Sequence, residues 1–138
     1  MERTLILIKP EAYAAGKTAK ILDMFLERGF AVVAAKTVRL TKQEAERFYS
    51  VHIGKEFYDK LTTFMSTGPI LTVVMEKEDA IVDARELMGP TDPAEAPPGS
   101  IRSLYGTNVR LNSVHGSDST ESAGKEIRFF FSDLELLR

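Results

Sequence analysis

The stretch RTLILIK, residues 3–9, places a short apolar run near the start of the chain, with a charged residue at each end. A continuous run of this length between charges is typical of a buried β-strand. It is far too short to cross a bilayer, which takes about 20 apolar residues in a helix. The sequence therefore predicts that the chain begins with a strand inside a folded core.

Helix and strand patterns alternate along the rest of the chain. An apolar stripe predicts a helix over residues 18–28, which Gly29 ends. Residues 30–40 alternate as a strand does, and residues 41–44 form a capping-box pattern that begins a helix reaching Tyr49. The same patterns predict five further elements: a helix over 55–65, a strand over 69–75, a helix over 79–88, a weak strand near 112–115 and a helix over 117–131. This alternation predicts an α/β or α+β layered fold, but it does not fix the order of the strands.

The composition excludes several classes of protein. The 138 residues fit one domain, predicted over residues 1–138, and they include no cysteine, which excludes a disulfide scaffold, thiolate zinc sites and thiol catalysis. The net charge of −2, without a basic stripe, disfavours nucleic-acid binding. The N-terminus lacks a small-residue cleavage site and no apolar run is long enough for a membrane span, so we expect a cytoplasmic protein.

The sequence GKT, residues 16–18, invites comparison with a phosphate-binding P-loop. That motif needs a glycine five residues before the glycine of Gly-Lys-Thr, and this position holds Glu11. A carboxylate in a phosphate cradle would repel its ligand, so we interpret GKT as an ordinary helix start.

His115 lies among small polar residues in NSVHGSDS, residues 112–119. Gly116 removes side-chain bulk next to it, and the helix that follows favours anions nearby. An imidazole with one unprotonated nitrogen accepts a phosphoryl group if a hydrogen bond holds its other nitrogen. Glu126 or Ser117 would supply that bond, directly or as a relay. The sequence thus predicts a nucleophile, with a surface histidine that caps a helix as the alternative.

The other histidine, His52, lies in YSVHIGKEF, residues 49–57, without a comparable setting. We interpret it as a partly exposed helical residue. With two histidines and no cysteine, the chain has few of the ligands that a histidine-based metal site uses.

Three cations could together surround a polyphosphate, although each of them alone is more often a solvated surface charge. Lys9 ends the first strand, Arg85 lies at the margin of the apolar stripe of its helix, and Arg102 follows the Pro/Gly-rich residues 89–100, which contain Thr91. Arginine binds phosphate oxygens with a bidentate fork, and phosphoryl transfer needs mainly positioning and charge neutralisation. These cations, together with a Mg²⁺ ion, would meet that need for a polyphosphate.

The segment NSVHGSDS resembles the active-site signature of nucleoside diphosphate kinases, Asn-x-x-His-Gly-Ser-Asp. The resemblance extends over nearly the whole chain. It includes four other segments in family order: ERTLILIKP, STGPI, GPTDP…PGSIR and SxESAxKEI.

The resemblance implies a role for each matched residue. His115 would take the γ-phosphoryl group of a nucleoside triphosphate and pass it to a nucleoside diphosphate, which gives ping-pong kinetics. Lys9 and Asn112 would contact the ribose hydroxyls, with Lys9 also near the transferred group. The other roles are phosphate binding by Arg85, Thr91 and Arg102, stacking on the two faces of the base by Phe57 and Val109, and orientation of the histidine by Tyr49, Ser117 and Glu126.

The resemblance also implies the fold, the cofactor and the assembly. The expected fold is ferredoxin-like α+β, with a four-stranded antiparallel sheet and helices packed on it. Mg²⁺ would be held through the nucleotide phosphates and not by protein ligands. The chain would form a homo-oligomer, a hexamer or tetramer built from a common dimer. Because every base has an apolar face that can stack, we expect broad base tolerance.

Three features depart from the family pattern. Residues 9–12 are KPEA where the family usually has Lys-Pro-Asp-Gly, and residues 103–105 are SLY where it usually has Gly-Asp-Phe. Arg110 adds a positive charge beside the site. All of the matched site residues are nevertheless present.

Another function on the same fold is a nucleotide-binding protein without catalysis. It would need Phe57, Arg85 and Arg102, but not His115. Nucleotide binding without turnover would identify it, whereas the charge balance already disfavours a nucleic-acid-binding protein.

Overall fold

The computed structural model of the chain describes residues 1–137 and has a four-stranded sheet at its centre. The strands are β1 (Glu2–Ile8), β2 (Ala31–Val38), β3 (Ile70–Lys77) and β4 (Val114–Gly116). Their order across the sheet is β2-β3-β1-β4, and each neighbouring pair is antiparallel. This topology and the helices around it confirm the predicted ferredoxin-like α+β fold.

Seven α-helices lie within the part of the chain that the structure describes. They are α1 (Pro10–Ala14), α2 (Thr18–Glu27), α3 (Lys42–Phe48), α4 (Tyr58–Met65), α5 (Ala80–Met88), α6 (Ile101–Tyr105) and α7 (Thr120–Phe130). The sequence patterns did not predict α1 or α6, because five residues are too few to show a helical period. Among these helices, none is long and apolar enough to cross a membrane.

The first strand is apolar throughout because both of its faces are covered. Leu5 and Leu7 lie in a cluster with residues of α7, whereas Ile6 and Ile8 lie in a second cluster with residues of α2 and α5. Successive side chains of a strand point to opposite faces of the sheet, so two buried faces require an unbroken apolar run. This explains why residues 3–9 show no alternation between apolar and polar residues.

Pairing between β1 and β4 brings together residues that lie more than 100 positions apart. Leu7 pairs with His115, and the N–H of Lys9 donates to the carbonyl of Ser113 at 2.9 Å. At the other end of the pairing, the N–H of Ser117 donates to the carbonyl of Leu5 at 3.1 Å. The sheet thus positions Lys9, where β1 ends, beside the segment that contains His115.

Candidate active site

His115 is held by a carboxylate that a serine holds in turn. Nε2 of His115 lies 3.0 Å from Oε1 of Glu126, and the hydroxyl of Ser117 donates to the same oxygen at 2.8 Å. Ser117 is fully buried, whereas the side chains of His115 and Glu126 keep 21% and 19% of their surface exposed. The structure therefore forms both the direct bond and the relay that the sequence left open as alternatives.

The Glu126 contact fixes the tautomer of His115. An ionised carboxylate only accepts hydrogen bonds, so Nε2 carries the hydrogen and donates it to Glu126. Nδ1 then keeps its lone pair, and no residue within 1–137 donates a hydrogen bond to it. The unprotonated nitrogen of this ring is therefore Nδ1.

Aromatic rings limit how the imidazole can turn. The ring of Phe48 meets it edge-on at a centroid distance of 5.5 Å, and the ring of Tyr49 does so at 6.1 Å. The Tyr49 hydroxyl is buried without a hydrogen-bond partner among the described residues. Burial raises the pKa of this hydroxyl, and the charge of Glu126 raises it further. Tyr49 thus contacts His115 through its neutral ring.

Lys9 and Asn112 form a buried pair beside the histidine. Nζ of Lys9 donates to Oδ1 of Asn112 at 2.7 Å, and Nδ2 of Asn112 donates to the carbonyls of Thr91 and Val109. Burial and then the charge of Arg102 lower the pKa of Lys9 to about 8, and the charge of Glu11 opposes them. The ammonium still has two donors for a ligand.

The guanidinium of Arg102 is held by two backbone carbonyls. It donates to the carbonyl of Gly89 at 2.8 Å and to that of Val114, next to His115, at 2.9 Å. Burial lowers the pKa of Arg102 to about 10, with a contribution from Arg85, so the side chain stays charged at neutral pH. Its Nε is buried without a partner in the described part of the chain. An unmet donor on a charged group favours an anionic ligand.

The far end of the site is more open. Phe57 and Val109 keep 48% and 60% of their surface exposed. His52 packs against Phe57 at a centroid distance of 5.1 Å and stacks on Tyr49 at 6.3 Å. His52 is half-buried, as expected of a partly exposed helical residue. It ends a single 3₁₀ turn, Ser50–His52, and forms part of the site wall.

These residues surround one cavity of about 960 Å³. Of the eleven site residues named from the sequence, all but Ser117 line it, and Ser117 lies behind Glu126. The residues in the lining are Lys9, Tyr49, Phe57, Arg85, Thr91, Arg102, Val109, Asn112, His115 and Glu126.

The cavity is strongly basic in a chain whose net charge is −2. Two carboxylates line it, Asp118 and Glu126. Seven cationic side chains face them: Lys9, Arg47, Lys55, Arg85, Arg102, Arg110 and Lys125. Such a concentration of positive charge attracts a polyphosphate without making the whole protein basic.

Several wall residues were not predicted from the sequence. Phe48 carries no signal beyond its place in an apolar helix stripe, and Asp118 looks like an ordinary helix-start residue. Gly116 lines the cavity as expected, but a Cβ there would also lie 2.6 Å from the Cε atom of Met88. This glycine therefore has a packing role that the sequence analysis did not include.

A family model for nucleoside diphosphate kinase matches residues 2–136. The chain belongs to the nucleoside diphosphate kinase family. As a nucleoside diphosphate kinase, it transfers the γ-phosphoryl group of a nucleoside triphosphate to a nucleoside diphosphate. The resemblance seen in the sequence is thereby confirmed.

Similar nucleoside diphosphate kinases match the chain from end to end. The enzyme of Persephonella marina is 53% identical over 137 residues, which cover 99% of this chain and 98% of that protein. The enzyme of Geobacter sp. strain M21 is 50% identical, with 99% of this chain and 100% of that protein covered.

Solved nucleoside diphosphate kinases share the fold. The structure of the Aquifex aeolicus enzyme has a TM-score of 0.97 and 48% identity, with 99% of each chain covered. The enzyme of Halobacterium salinarum, solved in complex with CDP, has a TM-score of 0.95 and 36% identity, with 99% of this chain and 91% of that chain covered.

Proposed function

We propose that the reaction passes through a phosphohistidine at Nδ1 of His115. The observation that carries this proposal is the 3.0 Å contact between Nε2 and Glu126, which leaves the other ring nitrogen unprotonated. A nitrogen lone pair at the edge of a basic cavity has the chemistry of a phosphoryl acceptor. Ser117, by donating to Glu126, would keep the carboxylate in place.

Each half-reaction exchanges one bond to phosphorus for another. The Nδ1 lone pair forms an N–P bond to the γ-phosphorus as the bond to the bridging oxygen breaks, and the nucleoside diphosphate leaves with that oxygen. The imidazole ring becomes cationic, and the Glu126 carboxylate on Nε2 stabilises that charge. A terminal oxygen of the second nucleoside diphosphate then attacks the phosphorus, and the N–P bond breaks. Donor and acceptor use the cavity in turn, as ping-pong kinetics require.

The buried cations would bind the phosphates. Arg102, with its unmet donor, and Arg85 lie on the cavity wall, and Lys9 has two free donors beside Asn112. The developing charge on the transferred group is neutralised by groups that are already held in place, which is the main requirement of phosphoryl transfer. Thr91, whose carbonyl Asn112 holds, would add a hydroxyl to the phosphates.

The open end of the cavity would bind the base. Phe57 would stack on one face of the base and Val109 would cover the other, which suits any base because each has an apolar face. Lys9 and Asn112 would hold the ribose hydroxyls between the base and the phosphates. Tyr49 would act only by packing against the imidazole, since its hydroxyl has no partner among residues 1–137.

A Mg²⁺ ion would be held mainly by the nucleotide phosphates. Within the described residues, no three His, Cys, Asp or Glu side chains come together as a protein metal site. Asp118, the cavity carboxylate that does not hold His115, is the side chain with the right chemistry to add a ligand, directly or through water. Hydrogen bonding from Ser122, and then the charge of Arg85, lower the pKa of Asp118, so it is ionised at neutral pH. When bound, the ion would neutralise phosphate charge.

The assembly, the domain and the location are also part of this proposal. A homo-oligomer, either a hexamer or a tetramer built from dimers, agrees with the position of β2 at the edge of the sheet, where a second copy can pair. A mass measurement in solution tests it. One domain over residues 1–138 and a cytoplasmic location remain predictions from the sequence, and Arg138 lies outside the described residues.

Labelling with nucleotide alone tests the proposed function. We expect γ-labelled ATP to transfer its label to the protein in the absence of an acceptor, as a product that survives alkali and is lost in acid. His115→Ala should abolish the label, and His52→Ala, which changes the only other histidine, should still accept it. Label that persists in His115→Ala would contradict the proposal. Nucleotide binding without label would instead favour a protein that binds without catalysis.

A further inference from the structure

Arg110 lies at the tip of a tight turn at the open end of the cavity. Oδ1 of Asn108 accepts hydrogen bonds from the N–H groups of Arg110 at 3.0 Å and Leu111 at 2.9 Å. The N–H of Thr107 closes the turn on the carbonyl of Leu111 at 2.7 Å. An asparagine that binds the backbone ahead of it in this way stabilises such a turn. Its tip is therefore held by local hydrogen bonds.

The same turn presents the base-stacking residue. Val109 precedes Arg110, and the side chain of Asn112 donates to the Val109 carbonyl at 3.1 Å. Both Val109 and Arg110 line the cavity with Phe57. A base that lies between Phe57 and Val109 would therefore have Arg110 next to it.

The guanidinium of Arg110 is free to bind a ligand. It makes no hydrogen bond, ion pair or cation–π contact with any other residue in 1–137, and it lies on the exposed side of the cavity. Lys9 and Arg102, in contrast, are buried and bound to protein acceptors. Arg110 thus differs from the cations that would handle the phosphates.

Base edges differ in what they offer to a guanidinium. Guanine presents two adjacent acceptors, O6 and N7, which match the arginine fork. Adenine presents N7 beside an amino group that donates, and cytosine presents an amino donor. A fork that contacts the edge of a stacked base therefore favours guanine and disfavours cytosine.

We propose that Arg110 gives the enzyme a preference for guanine. Its guanidinium would donate two hydrogen bonds, to O6 and N7 of a guanine stacked between Phe57 and Val109. This inference rests on the proposed function, because it places the base at the open end of the cavity. The stacking surfaces accept every base, so the contact adds a preference among tolerated substrates. No other base is excluded.

Discharge of the phosphorylated enzyme measures this preference. The protein is phosphorylated with ATP and freed of nucleotide, and the second-order rate constant of dephosphorylation is measured with GDP, IDP, 7-deaza-GDP and CDP. We expect GDP and IDP, which share O6 and N7, to react fastest. 7-Deaza-GDP lacks N7 and should be slower. In Arg110→Ala the ratio of GDP to CDP should fall by about fivefold or more, as for loss of a bidentate base contact.

Arg128→Ala is the matched control. It removes an exposed arginine of α7 that does not line the cavity, so the ratios should stay as in the unaltered protein. An equal slowing of all four nucleotides in Arg110→Ala would show a contact to the shared phosphates and would overturn this inference alone, as would unchanged ratios. If no phosphorylated enzyme forms at all, the proposed function fails and this inference fails with it.

Discussion

The two ends of the cavity are built in opposite ways. At the end where we propose that the phosphates bind, Lys9, Arg102 and Asn112 keep only 6%, 8% and 1% of their surface exposed, and hydrogen bonds tie each of them to other parts of the chain. At the base end, Phe57 and Val109 are about half exposed, and they offer surface without directed bonds. The first end is held in a fixed geometry by hydrogen bonds, and the second is an open apolar surface.

This difference separates rate from selectivity. Burying a charge is costly unless it is paired or hydrogen-bonded, so buried cations are held rigidly, and rigid charges stabilise a transition state without rearrangement. A phosphate group is the same in every nucleotide, which lets one rigid end serve all of them. The bases differ, and an open stacking surface accepts each of them. We therefore expect changes at the phosphate end to affect the chemical step and changes at the base end to affect binding.

Among changes that leave His115 in place, the largest effect should come from Arg102→Ala. The change removes the proposed charged contact to phosphate, and it leaves the carbonyls of Gly89 and Val114 without their donor. Since hydrogen bonds to charged groups contribute about 1.5–3 kcal/mol each, kcat/KM should fall by about 100-fold or more.

Arg102→Lys keeps the positive charge but loses the bidentate guanidinium. Its kcat/KM should therefore lie between those of the unaltered protein and Arg102→Ala. Thermal unfolding of each variant separates loss of the fold from loss of the site. A folded Arg102→Ala variant with unchanged kcat/KM would contradict the phosphate role.

Glu126→Gln should have the next largest effect. A neutral amide no longer compensates the charge that develops on the imidazole, and it can offer Nε2 a donor in place of an acceptor. We expect the rate of phosphohistidine formation at saturating ATP to fall by about 30- to 100-fold. This is near the lower end of the rate enhancement that general acid–base catalysis usually contributes. Glu121→Gln changes an exposed glutamate of the same helix and is the control. Equal rates in the two variants would count against Glu126.

Alkaline pH should weaken the phosphate end through Lys9. Its pKa is lowered to about 8 by burial and by Arg102, so kcat/KM should fall by about tenfold as pH rises through this value and the ammonium loses its charge. Lys9→Gln should have a lower kcat/KM without this alkaline limb. Lys20→Gln, a change of an exposed lysine on α2, should keep it. An alkaline limb in Lys9→Gln would assign the titration to another group.

The same titration has an opposite effect on stability. Between pH 8 and the ordinary value of 10.5, the unfolded chain binds more protons at Lys9 than the folded chain does, so the free energy of unfolding rises with pH in this window. The contribution of Lys9 to the free energy of unfolding is fully present above pH 10.5 and is lost as pH falls through 8. Urea unfolding of the protein and of Lys9→Gln at these pH values measures it. Identical pH dependence in both would show that Lys9 keeps an ordinary pKa.

The smallest effect should come from Phe57→Ala at the base end. Loss of a half-exposed stacking surface should raise the KM for nucleotide by about five- to tenfold, because stacking contributes roughly 1–3 kcal/mol per base. The rate of phosphorylation at saturating nucleotide should change little. Leu134→Ala removes another exposed apolar side chain, outside the cavity, and should leave both values unchanged. A large drop in the saturated rate would show that Phe57 also positions the phosphates.

Much of the fold could be predicted from local patterns, but the strand order could not. The apolar run of β1 and the capping box at Thr41 each gave the correct element, and the structure contains both bonds of that capping box. The pairing of Leu7 with His115 joins residues far apart in sequence, which no local period encodes. The family resemblance supplied the fold class, and the structure supplied the strand order.

The site could be predicted where the chemistry depends on residue type, and not where it depends on packing. The contact of His115 with Glu126, eleven positions away, could be predicted because a phosphoryl acceptor needs a hydrogen-bond partner on its second nitrogen. The place of His52 on the cavity wall was missed because it depends on stacking against Tyr49 and Phe57. That stacking requires a 3₁₀ turn that the sequence pattern does not reveal.

The most direct test of the account is to identify the phosphorylated nitrogen. The protein would be phosphorylated with ATP alone, and NMR of the phosphohistidine would distinguish the two ring positions. Because Glu126 holds Nε2, we predict phosphate on Nδ1 of His115. Phosphate on Nε2, or on any other residue, would contradict the account.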